Sequence, residues 1–187
     1  MKIAAHARTD VGRWRPANED AHIVLDRARV FAVADGMGGH AAGEIASRIA
    51  VDVIASLAQS PAGDAATLEQ QLTTAVDRAN HAIAQAAEAT PDHAGMGTTL
   101  TVLGFTQDGR AGAFAHVGDS RLYRLRSEKL EQITRDHTWV QEQVTQGNLT
   151  ADQARAHPLS SMLSRALGTK DALEIDGGAI QPAAGDI

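Results

Sequence analysis

The sequence predicts an α+β fold in which antiparallel strands carry two long helices laid side by side on a sheet. Three observations predict it. Two short apolar segments, residues 22–26 and 29–34, are separated only by a turn. Two helical patterns, 43–59 and 65–88, repeat apolar residues at spacings of three and four. Between residues 97 and 133, strand candidates follow one another with connections too short for parallel crossovers.

Taken in order, residues 2–9 are a first strand candidate of weak alternation, closed by the turn signal Asp10-Val11-Gly12. Arg15 then precedes Asn18-Glu19-Asp20. Acids of this density suit a metal ion and the cation suits phosphate, although a solvated polar loop has the same composition. The hairpin of 22–26 and 29–34 delivers Asp20 and Asp35 to neighbouring places. Its second arm, Val30-Phe31-Ala32-Val33-Ala34, reads as a buried strand and ends in Asp35. Four glycines follow: Gly36, Gly38, Gly39 and Gly43. Asp35 has two oxygens that can bridge two cations, and Gly36, lacking Cβ, can bring its carbonyl close to a metal. An ordinary strand-to-helix turn also uses Asp-Gly.

The first helix carries Ile45, Ile49, Val53, Ile54 and Leu57 on one face, and residues 60–63 break it. The second carries Leu68, Leu72, Ala75, Val76, Ala79 and Ile83, with His81 on the surface. Residues 90–96 form a loop and 97–105 a β-rich segment. A turn at 107–110 leads to a return strand at 111–117. Gly118-Asp119-Ser120-Arg121 puts Asp119 in a tight turn, and strands follow at 122–126 and 129–133. Two short helices span 138–146 and 150–156, the second opened by a capping box of Thr150 and Gln153. A helical turn at 161–167 and a last strand at 173–180 complete the reading.

Composition excludes several functions. The 187 residues are 43% hydrophobic, enough for a substantial core, and show neither repeat nor linker, so residues 1–187 read as one domain. The absence of cysteine removes disulfides and thiolate chemistry. A net charge of −6 with no basic block argues against nucleic acid as a main partner. No apolar run spans a bilayer and the N-terminal residues lack a signal-type apolar region, which predicts a cytoplasmic protein without a membrane partner.

Several segments occur together in one order: Asp10-Val11-Gly12 with Arg15 and Asn18-Glu19-Asp20; Asp35-Gly36-Met37-Gly38-Gly39-His40 with Gly43-Glu44; Gly97-Thr98-Thr99; Val117-Gly118-Asp119-Ser120-Arg121; Thr134-Arg135-Asp136-His137; and His157-Pro158 before Arg165-Ala166-Leu167-Gly168. In combination they resemble the metal-dependent protein phosphatases, the type 2C serine/threonine phosphatases, in their bacterial form. The resemblance implies a four-layer α-β-β-α sandwich of two antiparallel sheets flanked by helices. It implies hydrolysis of phosphoserine and phosphothreonine in proteins by a metal-activated water, with two or three Mn²⁺ or Mg²⁺ ions. By that resemblance Asp35 bridges two metals, Gly36 ligates through its carbonyl, Glu19 and Asp20 hold the second metal directly or through its waters, Asp119 helps hold a third, and Arg15 grips the phosphate. It further implies a monomer opposed by a serine/threonine kinase, and a flap at 138–165 beside the active site. His40 belongs to the motif without an assigned role.

The sequence also departs from the pattern. The family continues with an apolar strand to a second Asp-Gly and later an Asp-Asn pair, whereas Asp171, Asp176 and Asp186 lie outside any such motif. The expectation is a catalytic domain incomplete at its C-terminal end, missing C-terminal strands and two metal-site aspartates. The alternative to turnover is therefore a phosphatase-like domain that binds phosphoproteins or a regulatory partner. Exposed apolar surface is expected to make the 187-residue chain marginally stable or prone to aggregate.

Overall fold

The computed structural model describes residues 2–38, 42–58, 62–169 and 172–187. Its main sheet is antiparallel and joins β1 (Asp20–Leu25), β2 (Val30–Met37), β4 (Leu100–Phe105), β5 (Gly112–Val117) and β8 (Asp176–Ile180) in the order β1-β2-β4-β5-β8, with the two-residue β3 (Gly97–Thr98) pairing to the end of β2. A second, two-stranded sheet is the hairpin of β6 (Tyr123–Arg126) and β7 (Lys129–Gln132). Two long helices, α1 (Ala42–Leu57) and α2 (Ala65–Ala89), pack against each other, α1 over β1 and β2 and α2 over β4, β5 and β8. Two short helices, α3 (Trp139–Thr145) and α4 (Ala151–Arg155), lie together between β7 and β8.

The register of the first hairpin is as the sequence implies: Asp20 pairs with Asp35 and Leu25 with Val30. The apolar run in β2 is buried on one face only. Val30, Ala32 and Ala34 point into the core, while Val33 is 46% exposed on the other face. A continuous apolar run therefore does not mean burial on both sides here.

α1 is turned relative to the face read from its large residues. Ala46, Ala50, Val51 and Ile54 are fully or nearly fully buried, whereas Ile45, Ile49 and Val53 pack at the core's edge and Leu57 is exposed. Small side chains let this helix approach the alanines of β2 closely, and close packing outweighs the burial of three larger groups at the rim. α2 buries the stripe expected of it, Leu68 to Ile83, and is capped by Asp64, whose carboxylate accepts the Thr67 N–H at 2.9 Å. The capping box of α4 forms as predicted, Thr150 and Gln153 each bonding the other's backbone N–H.

Two expected elements are absent. Residues 2–9 run as coil, and residues 161–167 are not helical but carry isolated bridges, Leu163 to Thr138 and Leu167 to Thr98. Backbone bonds between Thr98 and Leu167, 2.9 and 3.2 Å, satisfy groups a helical turn would have used internally. Gly39, His40, Ser60 and Pro61 of the 60–63 breaker, and Asp171 lie outside the described residues.

Candidate active site

A cavity of about 600 Å³ opens where β1, β2 and the β5–β6 turn end on the same side of the sheet. Arg15, Glu19, Asp35, Gly36, Thr99 and Asp119 line it, together with Ser161, Leu163, Ser164 and Arg165. Asp20 does not line the cavity; it stands beside Asp35 through the β1–β2 register.

Each acid is held by its own local structure. Asp35 sits at the end of β2, where its N–H donates to Thr99 Oγ1 at 3.0 Å and its carbonyl accepts the Thr99 N–H and the Thr98 hydroxyl, both at 2.9 Å. The Glu19 carbonyl accepts from the Ser47 hydroxyl of α1 at 2.6 Å and from the Gly36 N–H at 3.1 Å. Gly36 is required by this approach: a Cβ there would lie 2.0 Å from the Gly43 carbonyl oxygen and 2.7 Å from that of Glu19. Asp20 accepts from Thr9 at 3.3 Å, and Asn18 ties both, donating to Thr9 and accepting the Asp20 N–H. So the coil at 2–9 serves to fix an acid rather than to extend a sheet. Arg15 pairs with Glu19 at 3.5 Å and leaves most of its side chain in solvent.

The electrostatics are lopsided. The pKa of Asp35 is raised, by partial desolvation first and then by Asp20, with Asp119 and Glu19 adding to the shift and Arg15 opposing it. Asp119 is raised as well, by desolvation and by Asp136, against Arg121. Burial and the surrounding carboxylates thus disfavour the charged form of Asp35, and oxygen-seeking divalent cations such as Mg²⁺ and Mn²⁺ would relieve that unmet negative charge. Among the described residues, no three acids or imidazoles converge closely enough to enclose an ion by themselves. The donor set thus fits such cations in chemistry and charge as an open wall, with water and backbone oxygen left to complete a shell.

Comparison with known proteins decides the family. The family model for protein phosphatase 2C matches residues 16–171. The chain belongs to the protein phosphatase 2C family. It is 47% identical over 162 residues to the serine/threonine protein phosphatase PstP of Mycobacterium tuberculosis, a match that covers 86% of this chain. The chain spans only 30% of that relative's length. It superposes on the crystal structure of the M. tuberculosis phosphatase PstP/Ppp with a TM-score of 0.88 and 42% identity, covering 96% of this chain and 73% of that one. A second structure, the PstP catalytic domain in complex with two manganese ions, matches with a TM-score of 0.83 and 40% identity over 96% of this chain and 72% of that one. Antiparallel sheets with packed helices agree with the α+β architecture of these phosphatase 2C structures.

Within this family member, the structure gathers five of the residues singled out from sequence, Arg15, Glu19, Asp35, Gly36 and Asp119, around one cavity, with Asp20 adjoining. From the 138–165 segment, only the stretch from Ser161 onward reaches the cavity. Asp176 and Asp186, the described aspartates outside the family's metal motifs, are committed elsewhere. Asp176 contacts Arg165 at 3.0 Å and His137 at 3.2 Å, and Asp186 makes a two-pronged pair with Arg126 at 2.6 and 2.7 Å. Sequence reading missed Thr9, Asn18 and Ser47 as supports. Their only signal is hydrogen-bonding capacity near the acids, which many loop residues share.

Proposed function

We propose that this chain is a metal-dependent protein-serine/threonine phosphatase that hydrolyses phosphoserine and phosphothreonine through an activated water. The observation that carries the reading is the concentration of mutually repelling carboxylates around Asp35, with Arg15 at the same cavity. The bound manganese of the PstP structure supports Mn²⁺ or Mg²⁺ here, two or three ions in all. Such ions, when bound, supply Lewis acidity that lowers the pKa of water and neutralises phosphate charge.

The protein's own groups have distinct parts in this reading. Asp35, with the Gly36 carbonyl beside it, would be shared between two cations. Glu19 and the adjoining Asp20 would hold the second ion, directly or through its waters, and Asp119 would help hold a third. Arg15 releases Glu19 and offers its guanidinium fork to the phosphoryl oxygens, a geometry lysine does not reproduce. The wall from Ser161 to Arg165 shapes which phosphorylated segment enters. A serine/threonine kinase that installs the phosphate is the functional counterpart, and the protein acts as a cytoplasmic monomer; among the described residues no helix is long and apolar enough to cross a membrane. The domain assignment, one catalytic domain over residues 1–187, belongs to the same proposal.

A second reading has its own support. The wall of acids is open, and Asp176 and Asp186 are occupied by arginines. A domain of this kind would bind a phosphorylated partner without turning it over. Hydrolysis of a phosphothreonine peptide by the purified chain, with Mn²⁺ and then with chelator, separates the two. Metal-dependent phosphate release is expected; binding without release would select the second reading. Arg15→Ala is expected to raise KM for the peptide several-fold, and an unchanged KM would remove Arg15 from the phosphate site.

A further inference from the structure

The Gly97-Thr98-Thr99 segment has so far served only as backbone support, yet Thr99 touches both acid-bearing elements. It is 2% exposed and lies between the end of β2 and the 118–121 turn. Its hydroxyl accepts the Asp35 N–H at 3.0 Å and bonds the Ser120 hydroxyl at 2.7 Å. Its methyl fills the space that Gly118 leaves: a Cβ on Gly118 would lie 2.5 Å from Thr99 Cγ2. Gly118 has φ of +108°, so the turn demands glycine twice, for conformation and for this contact. One side chain therefore grips Asp35 by its own amide and Asp119 by both of its chain neighbours.

The surrounding bonds make that grip rigid. The Thr101 hydroxyl reaches the Ser120 carbonyl at 2.9 Å, and the Gly118 N–H donates to His137 Nδ1 at 3.1 Å. Because the amide can only donate, neutral His137 carries its proton on Nε2, facing Asp176 at 3.2 Å. The 118–121 turn is thus fixed against β4 and the segment around His137, and Thr99 is its link to β2.

We propose that Thr99 is a positioning residue that sets the separation of Asp35 and Asp119, and so the affinity of this site for divalent cations. The inference rests on the phosphatase reading. In this role the Thr99 hydroxyl, bonded to the Asp35 amide and to Ser120, acts through the two aspartates.

The test is Mn²⁺ binding to the whole 187-residue chain by calorimetry, in the wild type and in Thr99→Val, Thr99→Ser and Ser120→Ala. Valine keeps the shape and deletes the hydroxyl, whereas serine keeps the hydroxyl. Residues that orient metal ligands typically change affinity by about 10–100-fold when removed. Thr99→Val is expected to weaken Mn²⁺ binding by at least about tenfold, with Thr99→Ser recovering most of it and the Asp35 amide exchanging faster only in the valine variant. Equal Mn²⁺ affinity in valine variant and wild type would overturn the inference while leaving the phosphatase reading in place. Equal losses in Thr99→Val and Thr99→Ser would also overturn it, since packing alone would then explain the effect. If Thr99→Val does not fold, Ser120→Ala decides: weakened Mn²⁺ binding supports the link, and unchanged binding ends it. A wild type that neither binds Mn²⁺ nor hydrolyses phosphopeptide would overturn both readings together.

Discussion

Two charged clusters meet at the 118–121 turn, and they are built in opposite ways. Around Asp35, burial first and then the carboxylates of Asp20, Asp119 and Glu19 raise its pKa, and Arg15, tied to Glu19, opposes them incompletely. Around His137, Asp176 receives the imidazole Nε2–H and the Arg165 guanidinium, and a second prong of Arg165 reaches Glu174 at 2.8 Å. There the Asp176 carboxylate is held below the usual range by His137 and Arg165, burial notwithstanding. The first cluster lacks counter-charge and the second has it. Uncompensated charge costs stability and is retained where a ligand relieves it; paired charge holds a fold together.

The sharpest way to break this contrast is Asp35→Asn. An amide cannot serve two cations as a carboxylate does, so turnover is expected to fall by about 10²–10³-fold or more. Thermal stability is expected to hold or rise, because repulsion from Asp20, Asp119 and Glu19 is relieved. A variant with wild-type turnover would dissolve the metal assignment. Asp176→Asn should do the reverse, lowering stability by about 1–3 kcal/mol in denaturant titration through loss of charge-assisted bonds to Arg165 and His137. Its activity, measured on folded protein, should fall less than tenfold. Activity lost as completely as in Asp35→Asn at unchanged stability would move Asp176 into the reacting cluster.

Acidification is expected to act through His116. His116 is fully buried and its pKa is lowered to about 4, by burial first and then by His137, whose ring centre lies 4.8 Å away. The folded state therefore refuses a proton that the unfolded chain accepts near pH 6.5. This contribution to stability is whole above pH 6.5 and is lost as pH falls from there toward 4. Between pH 7.5 and 5 the loss should reach about 2 kcal/mol, read from urea titrations at the two values. A flat profile would mean His116 is already charged in the folded protein. The smallest effect belongs to the solvent-exposed pair of Arg155 and Asp152 on α4. Arg155→Ala is expected to leave the unfolding midpoint unchanged within error, as exposed ion pairs contribute little. A clear shift would show that pairing alone, without burial, holds this fold.

Much of this architecture is legible in the sequence. The periodicity of α2, the capping box at Thr150 and the hairpin that sets Asp20 beside Asp35 follow from local spacing. Five acid, glycine and arginine positions around the cavity were legible too, because chemistry limits which residue types can do this work. The remainder depends on contacts far apart in sequence. Nothing local says that α1 presents alanines rather than Ile45 and Ile49 to the sheet, since that choice is made by the alanines of β2. Nothing local says that residues 2–9 give up strand pairing to hold Asp20, or that Thr99 and Ser120 share a hydrogen bond across 21 positions.

The tie between β6 and the last residues has a consequence for the rate of folding. Leu125 exchanges backbone bonds with Ile187 at 2.7 and 3.1 Å, and Arg126 grips Asp186 across 60 positions. Closing a loop of that length costs more chain entropy than closing the turns between β1 and β2 or β4 and β5. Contacts of such sequence separation slow folding, so the ties of β6 to residues 186 and 187 should raise the folding barrier more than the neighbouring hairpins do.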